Sequence, residues 1–272
     1  MMANEYIETH EIRGMRAGAL PLRSRIRAAI GLDLRGPSIP PAERVPGIDT
    51  SHWDGNMNYG TSYAVGDRFV ILKATQGVTW GDDQYIPGVN KLRAQGNMAW
   101  GSYHFLTTSD GAAQANWFHT TARDYLGVIP PTLDVELASV AASIVRACVE
   151  RIYYWFELWP IIYTSAYYWS LVTGASDKLW IAERCKLFVA HWGTDYPILP
   201  TGWTDYVLHQ WSAENNKLGV IHGAPPPPAA DADIDLDRCR RVWFEQFNPL
   251  PDWEHRVDAF LRPLGFTGPG PE

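Results

Sequence analysis

The chain is poor in several things at once. It has only three cysteines, Cys148, Cys185 and Cys239, widely spaced, with no CxxC pair and no Cys/His cluster at metal-ligand spacing. That excludes a disulfide framework and a zinc module, and leaves the three thiols as buried small hydrophobes. No apolar run approaches the roughly 20 residues that a membrane-spanning helix needs, and Met1 to Glu11 has no apolar stretch of signal-peptide type. Neither stable membrane insertion nor ordinary export is expected. Positive charge is not in surplus either: a formal net charge of -7 argues against nucleic-acid binding, whose affinity comes mainly from Lys and Arg on phosphates. Internal repeats of 20 to 50 residues are missing, and Pro225 to Pro228 reads as a polyproline turn in a loop.

What is abundant is aromatic. Thirteen Trp and thirteen Tyr in 272 residues exceed the needs of core filling. Flat apolar ring faces with polar tips suit the C–H faces of pyranosides, although most of these rings belong in the core. Hydrophobic residues at 46% and charged residues at 19% otherwise describe a globular chain near the upper limit of what one core serves.

Residues 1–44 differ from the rest, with no Trp and seven basic residues against five acidic ones. Leu22, Ile26 and Ile30 recur at helical spacing beside Arg23, Arg25 and Arg27, which predicts a short basic amphipathic helix. Gly36-Pro37 and Pro40-Pro41 follow as a linker signal. This extension is expected to dock on the main domain or on a partner protein. Residues 45–247 form the main domain, and 248–272 a C-terminal tail too short to be a further domain. From Pro46 onward short apolar runs alternate with helical stretches, the pattern of a parallel sheet covered by helices. Candidate strands are 45–49, 69–74, 98–105, 132–136, 160–164, 187–192, 206–211 and 232–236. Eight strands suit an α/β, TIM-like barrel. Helices are clear at 85–95, 112–125 and 138–157, then thin out where prolines and glycines crowd the last third.

In a parallel barrel the active site lies at the strands' C-terminal ends, so polar residues closing apolar strands are the ones to collect. The first strand ends in Asp49, followed by Ser51 and Trp53; the fourth in Asp134 and Glu136; the last carries Asp233, Asp235 and Asp237. Asp134 and Glu136, at i and i+2, share a face about 6.5 to 7 Å apart. Carboxylates crowded in a low-dielectric mouth cannot all ionise, so one keeps a proton near neutral pH and can act as a general acid. That is the chemistry of glycosidic bond cleavage. The plainer reading of the same pair is a strand end capping the next helix. His104, alone at its strand end, could be a base or a metal ligand, but no second His or Cys stands at ligand spacing. Neither a metal nor a cofactor is expected.

The runs Gly47-Ile48-Asp49-Thr50-Ser51-His52-Trp53, Phe69 to Thr75, Gly101-Ser102-Tyr103-His104-Phe105, Leu133-Asp134-Val135-Glu136 and Pro160 to Ser165 resemble glycoside hydrolase family 25, the Chalaropsis-type lysozymes. The resemblance continues through Leu187 to Trp192 and His209-Gln210-Trp211-Ser212 to Ile234-Asp235-Leu236-Asp237, about residues 46 to 247 in the family's order. It implies a modified (β/α)5(β)3 barrel that cleaves the β-1,4 bond between N-acetylmuramic acid and N-acetylglucosamine of bacterial peptidoglycan. By position Glu136 matches the proton donor, Asp134 the carboxylate that assists the substrate's acetamido group or the developing positive charge, and Asp49 and Asp235 the acidic residues of the first and last strands. Tyr103, Tyr163, Trp192 and Trp211 match groove aromatics, Gln210 a polar floor residue, and Trp53 lies beside them as a substrate-binding candidate. The resemblance makes His104 structural or substrate-positioning. Gln76, His209 and Trp211 depart from the usual Glu, Trp and Tyr, and the alternation of Asp233, Asp235 and Asp237 leaves the last-strand carboxylate open to a register shift of two.

Two classes of function remain. One is a peptidoglycan hydrolase, expected to be a phage or prophage endolysin made in a host cytoplasm and reaching the cell wall through a membrane pore or on a virion. The other is a non-catalytic wall-binding or virion structural module on the same barrel, disfavoured because a binder has no need of several costly carboxylates in one mouth. A barrel chitinase is disfavoured because Pro130, Pro131 and Thr132 occupy the strand where its acidic series is expected.

Overall fold

The computed structural model describes residues 35–213, 216–227, 230 and 233–246. The helix expected around Leu22 to Ile30 and the tail 248–272 lie outside the described residues. Strands β1 (Arg44–Thr50), β2 (Phe69–Gln76), β4 (Ala99–Phe105), β5 (Thr132–Asp134), β6 (Ile161–Thr164), β7 (Leu187–Ala190), β8 (Leu208–Ser212) and β9 (Asp235–Arg240) form a closed barrel, and β3 (Trp80–Gly81) is a short flap hairpinned onto β2. Helices α1 (Tyr59–Val65), α2 (Tyr85–Gln95), α3 (Gly111–Ala122), α4 (Ala142–Phe156) and the pair α5 (Ala166–Leu171) and α6 (Ala175–Arg184) follow the first five barrel strands. Among the described residues the last three strands have no helix between them, and α7 (Arg241–Phe244) is a single turn after β9. This is the α/β barrel with helices missing in its last third that the alternation predicted.

Alternation along the strands builds two cores. Val45, Phe69, Ile71, Ala99, Ile161, Phe188, Leu208 and Cys239 meet inside the barrel. Ile48, Val70, Leu72, Leu133 and Ile162, one residue out of phase, pack outward under the helices. Strands buried on both faces read as continuous apolar runs, as Phe69 to Leu72 does. Gly111 opens α3 where it presses on α4: a Cβ there would meet the Ile144 carbonyl oxygen at 2.1 Å, so only glycine permits this approach. The three cysteines are free and buried, as expected.

One strand departs from the expectation of an all-parallel sheet. β9 begins at Asp235 rather than 232 and runs antiparallel to both β8 and β1, closing the barrel between them. The reason is the missing helix. With no helix among the described residues after β8, the chain passes along α1, tied down by Asn58 N–H to Gly223 O (2.7 Å) and His222 to Asp67 (2.7 Å), and re-enters the barrel at Asp235 opposite Asp49, so the strand it then forms runs downward. The helix at 59–65 was not expected either; it is seven residues long with a Gly66 C-cap in the left-handed region, too short for a periodic signal.

The residues expected to be a linker are packed. Arg35 bridges to Ile198, Gly36 N–H reaches Pro197 O at 2.7 Å, and Pro37 O accepts the Tyr206 hydroxyl at 2.6 Å. Ile39 is fully buried against Leu187, Val189 and Tyr206 on the outward face of β7, which no helix covers. Arg44 then pairs with Asp195 at 2.9 Å. Residues 35–43 are a strap that takes the place of a missing barrel helix.

Candidate active site

Asp49 lies on β1 opposite Asp235 of β9, so the antiparallel strand delivers its carboxylate from its N-terminal end to the same mouth that β1 reaches with its C-terminal end. Asp134 ends β5. The extended path continues through buried Val135, whose N–H bonds Tyr163 O (2.9 Å) and whose carbonyl accepts the Thr164 hydroxyl (2.7 Å), and this carries Glu136 to the side of Asp134 although the ladder has ended. The register question on β9 has a geometric answer. Asp233 lies before the strand and accepts the Lys217 N–H at 2.7 Å, whereas Asp237 lies one inward position below Asp235, opposite Gly47 and Gln210.

The electrostatics of this mouth are set by burial. Asp134, 6% exposed, has a carboxyl held well above the ordinary carboxylate range, first by desolvation and then by the charge of Glu136, with Asp49 and Asp235 adding to it and Lys73 opposing. Its Oδ1 is buried without a hydrogen-bond partner, as suits a carboxyl that does not carry full charge. Tyr163 is pushed up by burial and by Glu136, Asp134, Asp49 and Asp235, so its phenol stays protonated. The four carboxylates collected from the sequence thus act on one another across one site.

Two further residues matter here: Lys73, which sequence reasoning passed over, and Asp237, which it weighed only as an alternative to Asp235. Lys73 faces the interior of β2 in phase with Phe69 and Ile71, and alternation alone marks it as an inward cation. Its ammonium, 6% exposed at residue level, donates to Gln76 Oε1 at 2.9 Å and lies 5.1 and 4.9 Å from the ring centres of Trp80 and Phe105. Residue 76 is an amide and not a carboxylate, so that bond carries no opposite charge, and the lysine charge also bears on Asp134. Asp237 is the second. It is 1% exposed, neither of its oxygens has a partner, and burial, with Asp49, Asp235 and Asp67 adding to it, raises its carboxyl well above the ordinary value of 3.8.

A proton retained on Asp237 makes a prediction. Between the unfolded value near 3.8 and the raised folded value, the folded chain holds a proton that the unfolded chain releases. Stability from this group is therefore complete below about pH 4 and is lost as pH rises through the folded value, by about 1.4 kcal/mol for each unit the group is raised. Asp237→Asn cannot titrate, so its melting temperature should fall less than that of the parent between pH 4 and pH 8. Parallel melting curves for the two proteins would show that Asp237 is ionised when folded.

The other candidates divide. Gln210, 2% exposed, accepts from Tyr163 Oη and Trp192 Nε1 (both 2.9 Å) and donates to Asp49 Oδ2 (2.7 Å), which ties three candidates to the carboxylate of a fourth. Tyr103 stands in register with Lys73 and Thr132. Trp53 lies at the rim, 4.4 Å from the His52 ring, and His52 is held to Asp82 at 3.0 Å. Trp80, absent from the sequence-derived set, meets the His52 ring edge-on with ring centres 5.0 Å apart. Trp211, 37% exposed, has its ring 5.8 Å from the Arg238 guanidinium, away from the Gln210 network.

Two histidines are structural. His104 is fully buried and its pKa pushed down to about 4 by desolvation. Gln114 Oε1 accepts the Thr107 N–H and so faces His104 as an acceptor, which makes His104 Nε2 the donor and Nδ1 the acceptor of the Thr75 hydroxyl at 2.7 Å. His209, with a pKa also lowered to about 4 by burial, bonds His191 O and lies under Arg238. Among the described residues no group of three His, Cys, Asp or Glu could hold a metal ion, and no helix is long and apolar enough to cross a membrane.

Comparison with known proteins gives the same picture. The family model described as Glycosyl hydrolases family 25 matches residues 48–220. The chain is 29% identical over 216 residues to Lysozyme M1 of Streptomyces globisporus, covering 72% of each. To the N,O-diacetylmuramidase of Chalaropsis sp. it is 30% identical over 186 residues, covering 61% of this chain and 87% of that one. A solved muramidase from Acremonium alcalophilum matches with a TM-score of 0.56 at 27% identity, over 71% of this chain and 92% of that one. The bacterial lysozyme from Streptomyces coelicolor, at 24% identity and a TM-score of 0.59 over 72% and 91%, shares the fold.

Proposed function

The chain belongs to glycosyl hydrolases family 25 and is a muramidase that hydrolyses peptidoglycan, and from that premise we propose how its own residues divide the work. Glu136 protonates the leaving oxygen of the β-1,4 bond between N-acetylmuramic acid and N-acetylglucosamine. The N-acetyl group of the cleaved sugar attacks the anomeric carbon, oriented and charged by Asp134 or Asp235, and water then opens the resulting ring. Two displacements retain the configuration. The setting we propose is a phage or prophage lysin acting at the bacterial cell wall.

The observation that carries this reading is the common side of Asp134 and Glu136. Both leave one continuous extended segment two residues apart, whereas a covalent nucleophile and its acid must flank the bond from opposite faces. Asp134 is therefore badly disposed to form a glycosyl-enzyme, and its raised proton affinity further weakens it as a nucleophile. The alternative is inversion, with Asp49 or Asp235 activating a water across a wider gap. Proton NMR of the first product released from purified walls separates the two. The β-anomer at an N-acetylmuramic acid reducing end is expected, and initial α-anomer would overturn the substrate-assisted scheme.

A further inference from the structure

The side-chain amide of Gln210 has only one orientation open to it, and the reason lies in the chemistry of its neighbours. The indole Nε1 of Trp192 carries a hydrogen and has no lone pair to offer, so the atom 2.9 Å from it must be the amide oxygen. The Tyr163 hydroxyl donates to the same oxygen at 2.9 Å. With both acceptor positions of Oε1 taken, the NH2 group is turned toward β1, where it donates to Asp49 Oδ2 at 2.7 Å. Asp49 Oδ2 is thereby an acceptor, which disfavours a carboxyl proton on that atom. An N–H bond to a carboxylate oxygen also favours the ionised form.

The neighbourhood makes this directionality consequential. Asp49 interacts with Asp134 of β5, with Asp237 of β9, and with the Tyr163 phenol of β6, and stands opposite Asp235 across the β1–β9 ladder; Glu136 and the ammonium of Lys73 on β2 bear on the same cluster. Burial drives Asp134, Asp237 and the Tyr163 phenol toward their neutral forms. A cluster of this kind could distribute its protons in several ways, and a donor with a locked direction selects among them.

We propose that Trp192 and Tyr163 are positioning residues that act through Gln210, locking its amide so that Asp49 is held as the ionised member of the carboxylate cluster. Trp192 then works mainly by its N–H and not by stacking on sugar. The loop that begins at Trp192 is itself pinned by the N-terminal strap, through Gly36 to Pro197 and Arg44 to Asp195, so the lock has a rigid mount. The inference rests on the catalytic reading above only in placing Asp49 in the reacting site; an ionised Asp49 there would stabilise positive charge developing on the substrate.

Two variants test it. Trp192→Phe keeps an aromatic face and removes the N–H; Tyr163→Phe removes the second donor and serves if the first variant fails to fold. For either, KM on soluble peptidoglycan fragments should stay within about threefold, kcat should fall, and the acidic limb of the kcat/KM profile should move up by about half a unit or more as the ionised form loses a fixed donor. A KM raised about tenfold with an unmoved acidic limb would make Trp192 a sugar contact and overturn the proposal. Carbon-13 titration of the Asp49 carboxyl, with and without Trp192→Phe in a Glu136→Gln background, reads the same effect without turnover. An upward shift there supports the lock even if Glu136 proves not to be the acid, and no shift overturns it even if Glu136 is.

Discussion

Glu136→Gln should abolish wall lysis, with a loss of at least about 10²-fold, the low end for removing a general acid. The amide keeps the shape of the side chain and can still hydrogen-bond, but it has no proton to give to the leaving oxygen. Folding should be retained, because Glu136 lies beyond the end of β5 and the backbone bonds that hold this segment belong to Val135 and Thr164. Binding should persist too, since the rim aromatics Trp53 and Trp80 are untouched. A turbidity assay on purified walls, with sedimentation of protein on the same walls as the binding control, decides it. Equal lysis by parent and variant would remove Glu136 from the mechanism, and binding without lysis by the parent itself would favour the non-catalytic module.

A chain that starts at Arg44 should melt at least about 8 °C below one that starts at Arg35. The strap contributes the complete burial of Ile39, worth about 2–3 kcal/mol. It also covers Leu187, Val189 and Tyr206 and supplies the Pro37 acceptor, worth about 1 kcal/mol, for the Tyr206 hydroxyl. Losing about 4 kcal/mol or more from a domain of this size lowers the melting temperature by about 2–4 °C per kcal/mol. Ile39→Ala in the longer chain isolates the largest part and should cost about 2–5 kcal/mol. Melting temperatures for the two lengths within about 3 °C would favour the boundary at 45 expected from the sequence, with Pro40-Pro41 a linker.

The strap shows what local signals can and cannot say. Gly36-Pro37 and Pro40-Pro41 do break regular structure, and among residues 35–43 the only helix is the three-residue turn at 41–43. A proline segment can still be packed, because burial depends on what lies opposite, and the bare face of β7 is about 150 residues away in sequence. Likewise the Asp233-Ile234-Asp235-Leu236-Asp237 run carries its period of two openly, yet which carboxylate reaches the mouth depends on the strand's direction, and that depends on a helix that is missing upstream. Trp211 and Gln210, adjacent in one motif, part company because neighbouring strand residues point to opposite sides, with the β8 ladder shifting register between Gln210 and Ser212.

By itself the sequence determined the alternation of apolar strands with helices, the loss of helices in the last third, and the delivery of Asp49, Asp134 and Glu136 to one end, because side-chain periodicity and strand-end polarity are local properties. Tertiary structure decided the direction of β9, the burial that raises the proton affinity of Asp134 and Asp237, the covering of β7 by the strap, and the orientation of Gln210. Each of these is set by groups brought together from distant parts of the chain, where low dielectric and donor-only neighbours leave a polar atom one acceptable state.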